Sequence, residues 1–191
     1  MERYHHGNLK AALLKAAAQM VGKLGTAGLT LREVARKAGV SHNAPYRHFK
    51  SREELLAALA AESFLKLHGA LEKASAEGSA VARLVTACQA YLRFAMDSPS
   101  RFELMFHSGI EWKDYPECAE AYGKCFALLE GLLRAQPKLK VDVETAGDLV
   151  WAAAHGVADL GVSKRLRHGK IADLEPLMDQ AVRTVLAGLY T

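Results

Sequence analysis

Apolar residues recur at steps of three and four positions along nearly the whole chain, and this spacing constrains the fold more than any other feature. No stretch alternates apolar and polar positions with β-branched side chains, and no Asn-Gly or Asp-Gly pair marks a hairpin. The pattern predicts an all-α protein with about nine helices. The predicted helices cover residues 9–24, 31–38, 42–48, 51–76, 80–97, 99–108, 116–136, 143–168 and 173–190.

The chain has 191 residues, half of them hydrophobic, which suffices for one domain or two small ones. No apolar stretch approaches the ~18 residues of a membrane span, and the N-terminus does not resemble a signal peptide. Three cysteines, Cys88, Cys118 and Cys125, fit a reducing compartment. Cys118 and Cys125 share a helical face, where small buried thiols are commoner than a redox pair or metal site. We expect a cytoplasmic protein with no cofactor and no membrane partner.

Positive charge is concentrated at the start of the chain. Residues 1–68 hold 11 Lys and Arg against 5 Asp and Glu, a net charge of +6. The remaining residues hold 14 against 16, a net charge of −2. A basic segment joined to a mildly acidic one indicates a polyanionic partner for the first segment, although a solvated basic face has the same composition.

Two short helices are predicted within the basic segment. Thr30 and Glu33 fit a capping box, in which the Thr hydroxyl binds the Glu N–H and the Glu carboxylate reaches back to the cap N–H. Gly39 can adopt the positive φ that ends such a helix. Ser41 can cap the second helix after a turn of about three residues. Ser51 then opens the long helix over 51–76 in a second capping box.

This arrangement predicts a helix-turn-helix that binds DNA. The second helix is expected to be exposed, and it carries side chains that can bond bases or phosphates: His42, Asn43, Tyr46, Arg47 and His48. A structural helical hairpin would share the apolar pattern without needing these side chains on an exposed helix.

Residues 9–68 resemble the N-terminal domain of the TetR family of regulators. The matching segments are Leu29–Ala35, Gly39–Ser41, Tyr46–Phe49 and Lys50–Leu56. The resemblance implies a supporting first helix, a helix-turn-helix reader, a connector helix over about 51–76 and a homodimer. It also implies a helix-turn-helix DNA-binding domain over 1–50 and a ligand-binding and dimerisation domain over 51–191.

The resemblance assigns roles to individual residues. Thr30, His48, Lys50 and Arg52 are expected to contact phosphate, although Arg52 could simply be a solvated helix start. Arg32, His42, Asn43 and Ala44 are expected to face base edges. Tyr46 is expected to pack on or bond to the DNA backbone, and Arg47 to contact either a base or a phosphate. The predicted interface is Thr30, Arg32, Ser41, His42, Asn43, Ala44, Tyr46, Arg47, His48, Lys50 and Arg52.

Pro45 departs from the family pattern, which more often has leucine there. Its missing N–H removes the first hydrogen bond of a helix capped by Ser41. The start of the second helix is therefore expected to be displaced or tightened.

The segment from Trp151 to Val157 resembles a ligand-domain type marked by Trp followed by His-Gly. His155 lies among apolar residues, where a hydrogen-bonded core histidine is commoner than a metal ligand. The last two helices are predicted to pair across a two-fold axis. The predicted dimer face is Leu149, Ala153, Gly156, Leu160, Val182, Val185, Leu186 and Leu189.

Aromatic residues at helical spacing are predicted to line an effector pocket, although plain core is the commoner role of such residues. The candidates are Phe64, Tyr91, Phe94, Phe102, Met105, Phe106, Trp112, Tyr122, Phe126, Trp151 and His155. The expected effector is small and apolar or aromatic, and its binding is expected to release a repressor from a palindromic double-stranded operator.

Two other functions are open to an all-α chain of this kind. A small enzyme is disfavoured, because the sequence contains no nucleophile elbow, HExxH motif or Gly-rich phosphate loop. A helical adaptor that binds another protein, with a vestigial DNA-binding module, is the second alternative.

Overall fold

The structure is a computed structural model that describes residues 9–136, 138–167 and 170–190. These ranges contain no β-strand beyond one isolated bridge, and none of their helices is long and apolar enough to cross a membrane. The predicted all-α class is confirmed. The described residues form eight α-helices: α1 (Leu9–Leu24), α2 (Leu31–Ala38), α3 (Arg52–Ala74), α4 (Ala80–Asp97), α5 (Pro99–His107), α6 (Pro116–Arg134), α7 (Val143–Val162) and α8 (Ile171–Leu189). Two 3₁₀ helices cover Pro45–Arg47 and Trp112–Asp114.

The chain divides into two compact units. The first contains Met1–Ser63 and Ser100–Glu120, and the second contains Phe64–Pro99 and Ala121–Thr191. These units do not follow the expected division at residue 50. That division concerns which residues read DNA and which sense a ligand, and it remains a prediction.

The core of the first unit forms where α2 packs against α1 and against the 3₁₀ helix at Pro45–Arg47. Helix α1 ends at the predicted residue, because Gly25 adopts a φ of 71° and its N–H bonds the Val21 carbonyl. Buried apolar side chains fill the space between the elements: Leu13, Ala17, Val21, Leu29, Val34 and Phe49.

The core of the second unit is built by α4, α7 and α8, each of which packs against the other two. At Gly161 of α7 the contact is tight, because an added Cβ would lie 2.8 Å from Cδ1 of Leu174 on α8. Only glycine permits this distance. Gly161 therefore lets the Leu174 side chain of α8 pack against the backbone of α7.

Helix α7 ends six residues before the prediction, which placed its end at His168 and Gly169, outside the described residues. The N–H of Lys164 bonds the Gly161 carbonyl and that of Arg165 bonds the Leu160 carbonyl. These two bonds form a Schellman motif, with Lys164 at a φ of 55° in the position that glycine usually takes. Sequence reasoning missed this end because it looked for glycine.

Helix α8 also begins earlier than predicted. Lys170 occupies its N-cap without a side-chain cap bond, and Asp173 lies in the first turn instead of capping the helix. A carboxylate in the first turn still faces the positive end of the helix dipole.

Candidate nucleic-acid interface and effector region

Helix α2 forms over the predicted residues, and both of its ends carry local caps. The Thr30 hydroxyl accepts a hydrogen bond from the Glu33 N–H at 3.2 Å. The Glu33 carboxylate lies 3.4 Å from the same hydroxyl, so it does not reach back to the cap N–H as a full capping box requires. At the other end Gly39 adopts a φ of 70°, and its N–H faces the carbonyls of Ala35 and Arg36.

The predicted α-helix over 42–48 is wrong. The structure has a turn at residues 42 and 43 followed by the three-residue 3₁₀ helix at Pro45–Arg47. Pro45 has no N–H to bond the Ser41 carbonyl, which instead accepts the Ala44 N–H at 3.0 Å. The missing donor therefore tightens this segment into 3₁₀ geometry, in line with the expected effect of Pro45.

We call residues 30–50 the reader, because they contain ten of the eleven predicted DNA-binding residues. Nine of the ten are exposed and Ala44 is half-buried. Tyr46 has half of its surface accessible despite its aromatic ring. Within the described part of the chain, the side chains of Arg32, Tyr46 and Arg47 make no hydrogen bond or ion pair. The reader thus presents polar side chains whose hydrogen-bonding groups face solvent.

Arg52 is the eleventh predicted interface residue, and its guanidinium is directed into the first unit. Nε donates to the Leu29 carbonyl at 2.9 Å, and an Nη donates to the Thr26 carbonyl at 2.7 Å. The other Nη lies 3.6 Å from the Glu53 carboxylate. Neither expected role, phosphate contact or solvated helix start, describes this geometry.

The exit of the reader is tied to the same turn of α3. The Ser51 hydroxyl accepts a hydrogen bond from the Glu54 N–H at 3.2 Å, as the predicted capping box requires. The Glu54 carboxylate accepts a short hydrogen bond from the Lys50 N–H, one residue earlier than expected. The first turn of α3 therefore contacts the backbone on both sides of the reader: Thr26 and Leu29 before it through Arg52, and Lys50 at its end through Glu54.

The predicted effector residues are divided between the two units. Phe102, Met105, Phe106 and Trp112 belong to the first unit, where the rings of Phe102 and Phe106 lie 5.0 Å apart. The other seven predicted residues belong to the second unit: Phe64, Tyr91, Phe94, Tyr122, Phe126, Trp151 and His155.

Six of these seven residues form a continuous series of ring contacts, which we call the aromatic chain. Centroid distances between successive rings run from 4.9 to 6.3 Å, and Phe94 is outside the series. The series ends where the Tyr91 hydroxyl and Nδ1 of His155 share a hydrogen bond of 2.7 Å. The expectation of a hydrogen-bonded histidine is confirmed. The order is Phe64, Tyr122, Phe126, Trp151, His155 and Tyr91.

Two carboxylates accompany the aromatic chain, and sequence reasoning missed them. Burial, with the negative charge of Asp148 added, raises the pKa of Tyr122 to about 12. Burial also raises the pKa of Tyr91; a hydrogen bond with Trp151 opposes this shift and the charge of Asp159 adds to it. Asp148, Trp151, His155 and Asp159 follow each other at steps of three and four, so they share one face of α7. That spacing was visible in the sequence.

The three cysteines are buried, and their thiols are not activated. Burial raises the pKa of Cys88 and of Cys125 to about 12 and that of Cys118 to about 11. Cys118 and Cys125 belong to different compact units although both lie on α6. Within the described residues, no group of three His, Cys, Asp or Glu side chains is placed to hold a metal ion.

The predicted dimer face is partly wrong. Val182, Leu186 and Leu189 are buried within the protomer's own core, so they are unavailable to a partner. Leu149 and Leu160 remain 46% and 37% exposed on α7, and Ala153, Gly156 and Val185 are half-buried. Two residues outside the prediction, Ala152 on α7 and Leu177 on α8, are also exposed. Sequence periodicity identified an apolar helix but not which side of α8 faces its own core.

A cleft of about 280 Å³ lies beside the reader in the first unit. His48, Phe49, Tyr115 and Glu117 are among the residues that line it. Glu117 forms a 3.3 Å ion pair with Lys10 of α1. None of the predicted effector residues lines this cleft.

Two family models match the chain. The model described as bacterial regulatory proteins, tetR family, matches residues 13–59. The model described as tetracyclin repressor-like, C-terminal domain, matches residues 84–185 and so covers more than half of the chain. The first match includes the whole reader, and the second includes α7 with the Trp and His-Gly residues.

Solved structures of similar proteins share the fold. A Rhodococcus sp. RHA1 protein of unknown function is 32% identical, with a TM-score of 0.82 and coverage of 100% of both chains. The transcriptional regulator FadR from Bacillus subtilis, solved with stearoyl-CoA, is 17% identical, with a TM-score of 0.73 and coverage of 94% and 99%. The TetR family regulator PfmR from Thermus thermophilus is 20% identical, with a TM-score of 0.64 and coverage of 90% and 97%.

Proposed function

Because the chain belongs to the TetR family of ligand-responsive, DNA-binding transcription regulators, we propose that it is a repressor that binds a palindromic operator as a homodimer. The observation that carries this proposal is the reader, whose predicted contact side chains are exposed and whose helix α2 is capped at both ends. Exposed cationic and polar groups on a helix, a turn and a short 3₁₀ helix suit the major groove and its phosphates.

The dimer would form through the exposed sides of α7 and α8. Leu149, Leu160 and Leu177 are large apolar residues left 37–46% exposed on these two helices. The exposed Ala152 and the half-buried Gly156 lie near Leu149 along α7, where small residues permit close helix approach. A two-fold axis beside these helices would bury the apolar surface in a four-helix bundle.

The effector would bind at the aromatic chain, and we propose that it is an aromatic compound that is neutral or cationic. Tyr122, Phe126, Trp151 and His155 are half-buried, so part of each ring is accessible for stacking. The charges that act on the two tyrosines are negative, which disfavours an anionic ligand and favours a cation over an aromatic face. The stearoyl-CoA bound to the Bacillus subtilis FadR is an anion, so the proposed effector class differs from it.

Operator binding tests the proposed function. Purified protein is titrated onto DNA from immediately upstream of its own gene, over a range of KCl concentrations, with random DNA as the control. Binding well above random DNA and a steep salt dependence are expected. If neither this DNA nor a random-sequence selection yields a specific site, the protein-binding adaptor becomes the better interpretation.

Tryptophan fluorescence tests the effector class. The chain has two tryptophans, so Trp112→Phe leaves Trp151 as the sole reporter. Cationic and neutral aromatic compounds are expected to quench it and to lower operator affinity, whereas stearoyl-CoA does neither. Trp151→Phe is the matched control and should show no such quenching. Quenching and operator release by stearoyl-CoA alone would contradict the proposed effector class.

A further inference from the structure

We infer that Arg52 is a positioning residue for operator binding: it fixes the backbone that leads into α2 and does not contact DNA phosphate. This inference rests on the proposed function, because its effect is measured on operator binding. The family resemblance had suggested a phosphate contact, but the geometry indicates an indirect role.

The guanidinium of Arg52 already has partners on three of its nitrogens. Nε and one Nη bind the carbonyls of Leu29 and Thr26 at 2.9 and 2.7 Å, and the other Nη lies 3.6 Å from Glu53. Its side chain is only 33% exposed. The two carbonyl bonds hold the guanidinium against the connection between α1 and α2, and the remaining Nη faces the Glu53 carboxylate, whose negative charge disfavours a phosphate there.

The two carbonyls belong to the connection between α1 and α2. Leu29 is buried and directly precedes the cap residue Thr30, and the Leu29 N–H bonds the Thr26 carbonyl at 3.2 Å. Arg52 thus closes this connection onto the first turn of α3. The connection sets the position of the α2 N-terminus, from which Thr30 and Arg32 face solvent.

The same turn of α3 also fixes the C-terminal end of the reader: the Glu54 carboxylate accepts the Lys50 N–H, and the Glu54 N–H donates to the Ser51 hydroxyl. Arg52 fixes the segment just before the reader in the same way. A planar guanidinium can bind two carbonyls from different residues at once, whereas the single ammonium of a lysine presents a different geometry. Arg52→Lys therefore keeps the charge and loses the bridge.

The salt dependence of operator affinity separates the two roles. For a phosphate contact, removing the side chain lowers the slope of log K against log salt by about 0.9. We expect Arg52→Ala and Arg52→Lys each to weaken operator binding at least tenfold with the slope unchanged. Lys50→Ala, at an exposed predicted phosphate contact, is the matched control and should lower the slope.

Hydrogen exchange in the absence of DNA provides a second readout. Amides of residues 26–33 should exchange faster in both Arg52 variants than in the wild type, with little change in α4, α7 and α8. Thermal unfolding identifies any variant that fails to fold. If Arg52→Ala does not fold, Arg52→Lys still tests the inference, because it keeps the charge while losing the bridge.

The inference is overturned if Arg52→Lys binds the operator like the wild type while Arg52→Ala lowers the slope of log K against log salt by about 0.9. It is also overturned if hydrogen exchange over residues 26–33 is unchanged in both variants. Failure of the wild type to bind any specific site would instead refute the proposed function, and with it any role of Arg52 in operator binding.

Discussion

The reader and α7 carry functional candidates in opposite structural settings. In the reader, nine of the ten candidate residues are exposed, and Gly39 and the buried Phe49 hold the fold; Thr30 does both, because it is a candidate contact and also caps α2. On α7, the candidates Trp151 and His155 pack against each other, and Trp151 also packs against Phe126, all within the second unit. Apart from Thr30, the candidate contacts and the residues that hold the fold are therefore different in the reader, whereas on α7 they are the same residues.

The largest expected effect comes from placing a charge at a buried position of α8. Val182→Asp buries an unpaired carboxylate at a site with no solvent exposure, so we expect a loss of at least ~4 kcal/mol in unfolding free energy. Leu160→Asp is the exposed counterpart and should leave the protomer folded while shifting dimer to monomer. Chemical denaturation and sedimentation measure the two outcomes. A monomeric but stable Val182→Asp would restore the original dimer assignment of Val182.

In the reader, Arg47→Ala should change function without changing stability. Loss of an exposed DNA contact is expected to cost about 1–3 kcal/mol of operator affinity, while unfolding shifts by less than ~0.5 kcal/mol. Fluorescence anisotropy and thermal unfolding measure the two quantities. Equal losses in both would erase the contrast between the reader and α7.

Sequence reasoning succeeded where the determining interactions are local. The bounds of α1, α2 and α4 agree with prediction because caps and left-handed glycines act within a few residues. The reader was identified for the same reason. Even its error, the helix expected over 42–48, has a local cause in Pro45.

The errors in the second unit have a non-local cause. Nothing within α8 distinguishes Val182, which its own core buries, from Leu177, which is exposed, because both are apolar. The assignment depends on how α4 and α7 pack against α8. The aromatic chain likewise joins residues of α3, α4, α6 and α7, and only the tertiary structure separates it from Phe102 and Trp112.

A smaller effect is expected where α7 packs against α8 at Gly161. Gly161→Ala places a Cβ 2.8 Å from the fully buried Leu174, so we expect a net loss of ~1–2 kcal/mol despite the better helix propensity of alanine. Gly131→Ala on α6 has open space around it and should stabilise by ~0.5–1 kcal/mol. Chemical denaturation checks both, and stabilisation by Gly161→Ala would contradict the close approach.

The smallest expected effect concerns the end of α7. Lys164 holds a left-handed conformation that suits glycine, so Lys164→Gly should raise the unfolding free energy by up to ~1 kcal/mol. Ser163→Gly, at a φ of −76°, is the control and should not stabilise. Equal responses in thermal unfolding would argue against the Schellman motif.

Selection of binding sites from random-sequence DNA tests the proposed operator-binding dimer, since enrichment of a specific site requires the reader and a palindromic site requires a two-fold dimer. For the wild type we expect an enriched palindrome whose half-site centres lie one helical turn of about 10–10.5 base pairs apart, or a multiple of it. For Arg47→Ala we expect weak or no enrichment. Enrichment of no sequence by a folded wild-type protein, or of a motif unaffected by Arg47→Ala, Tyr46→Ala and Arg32→Ala, would contradict the proposal.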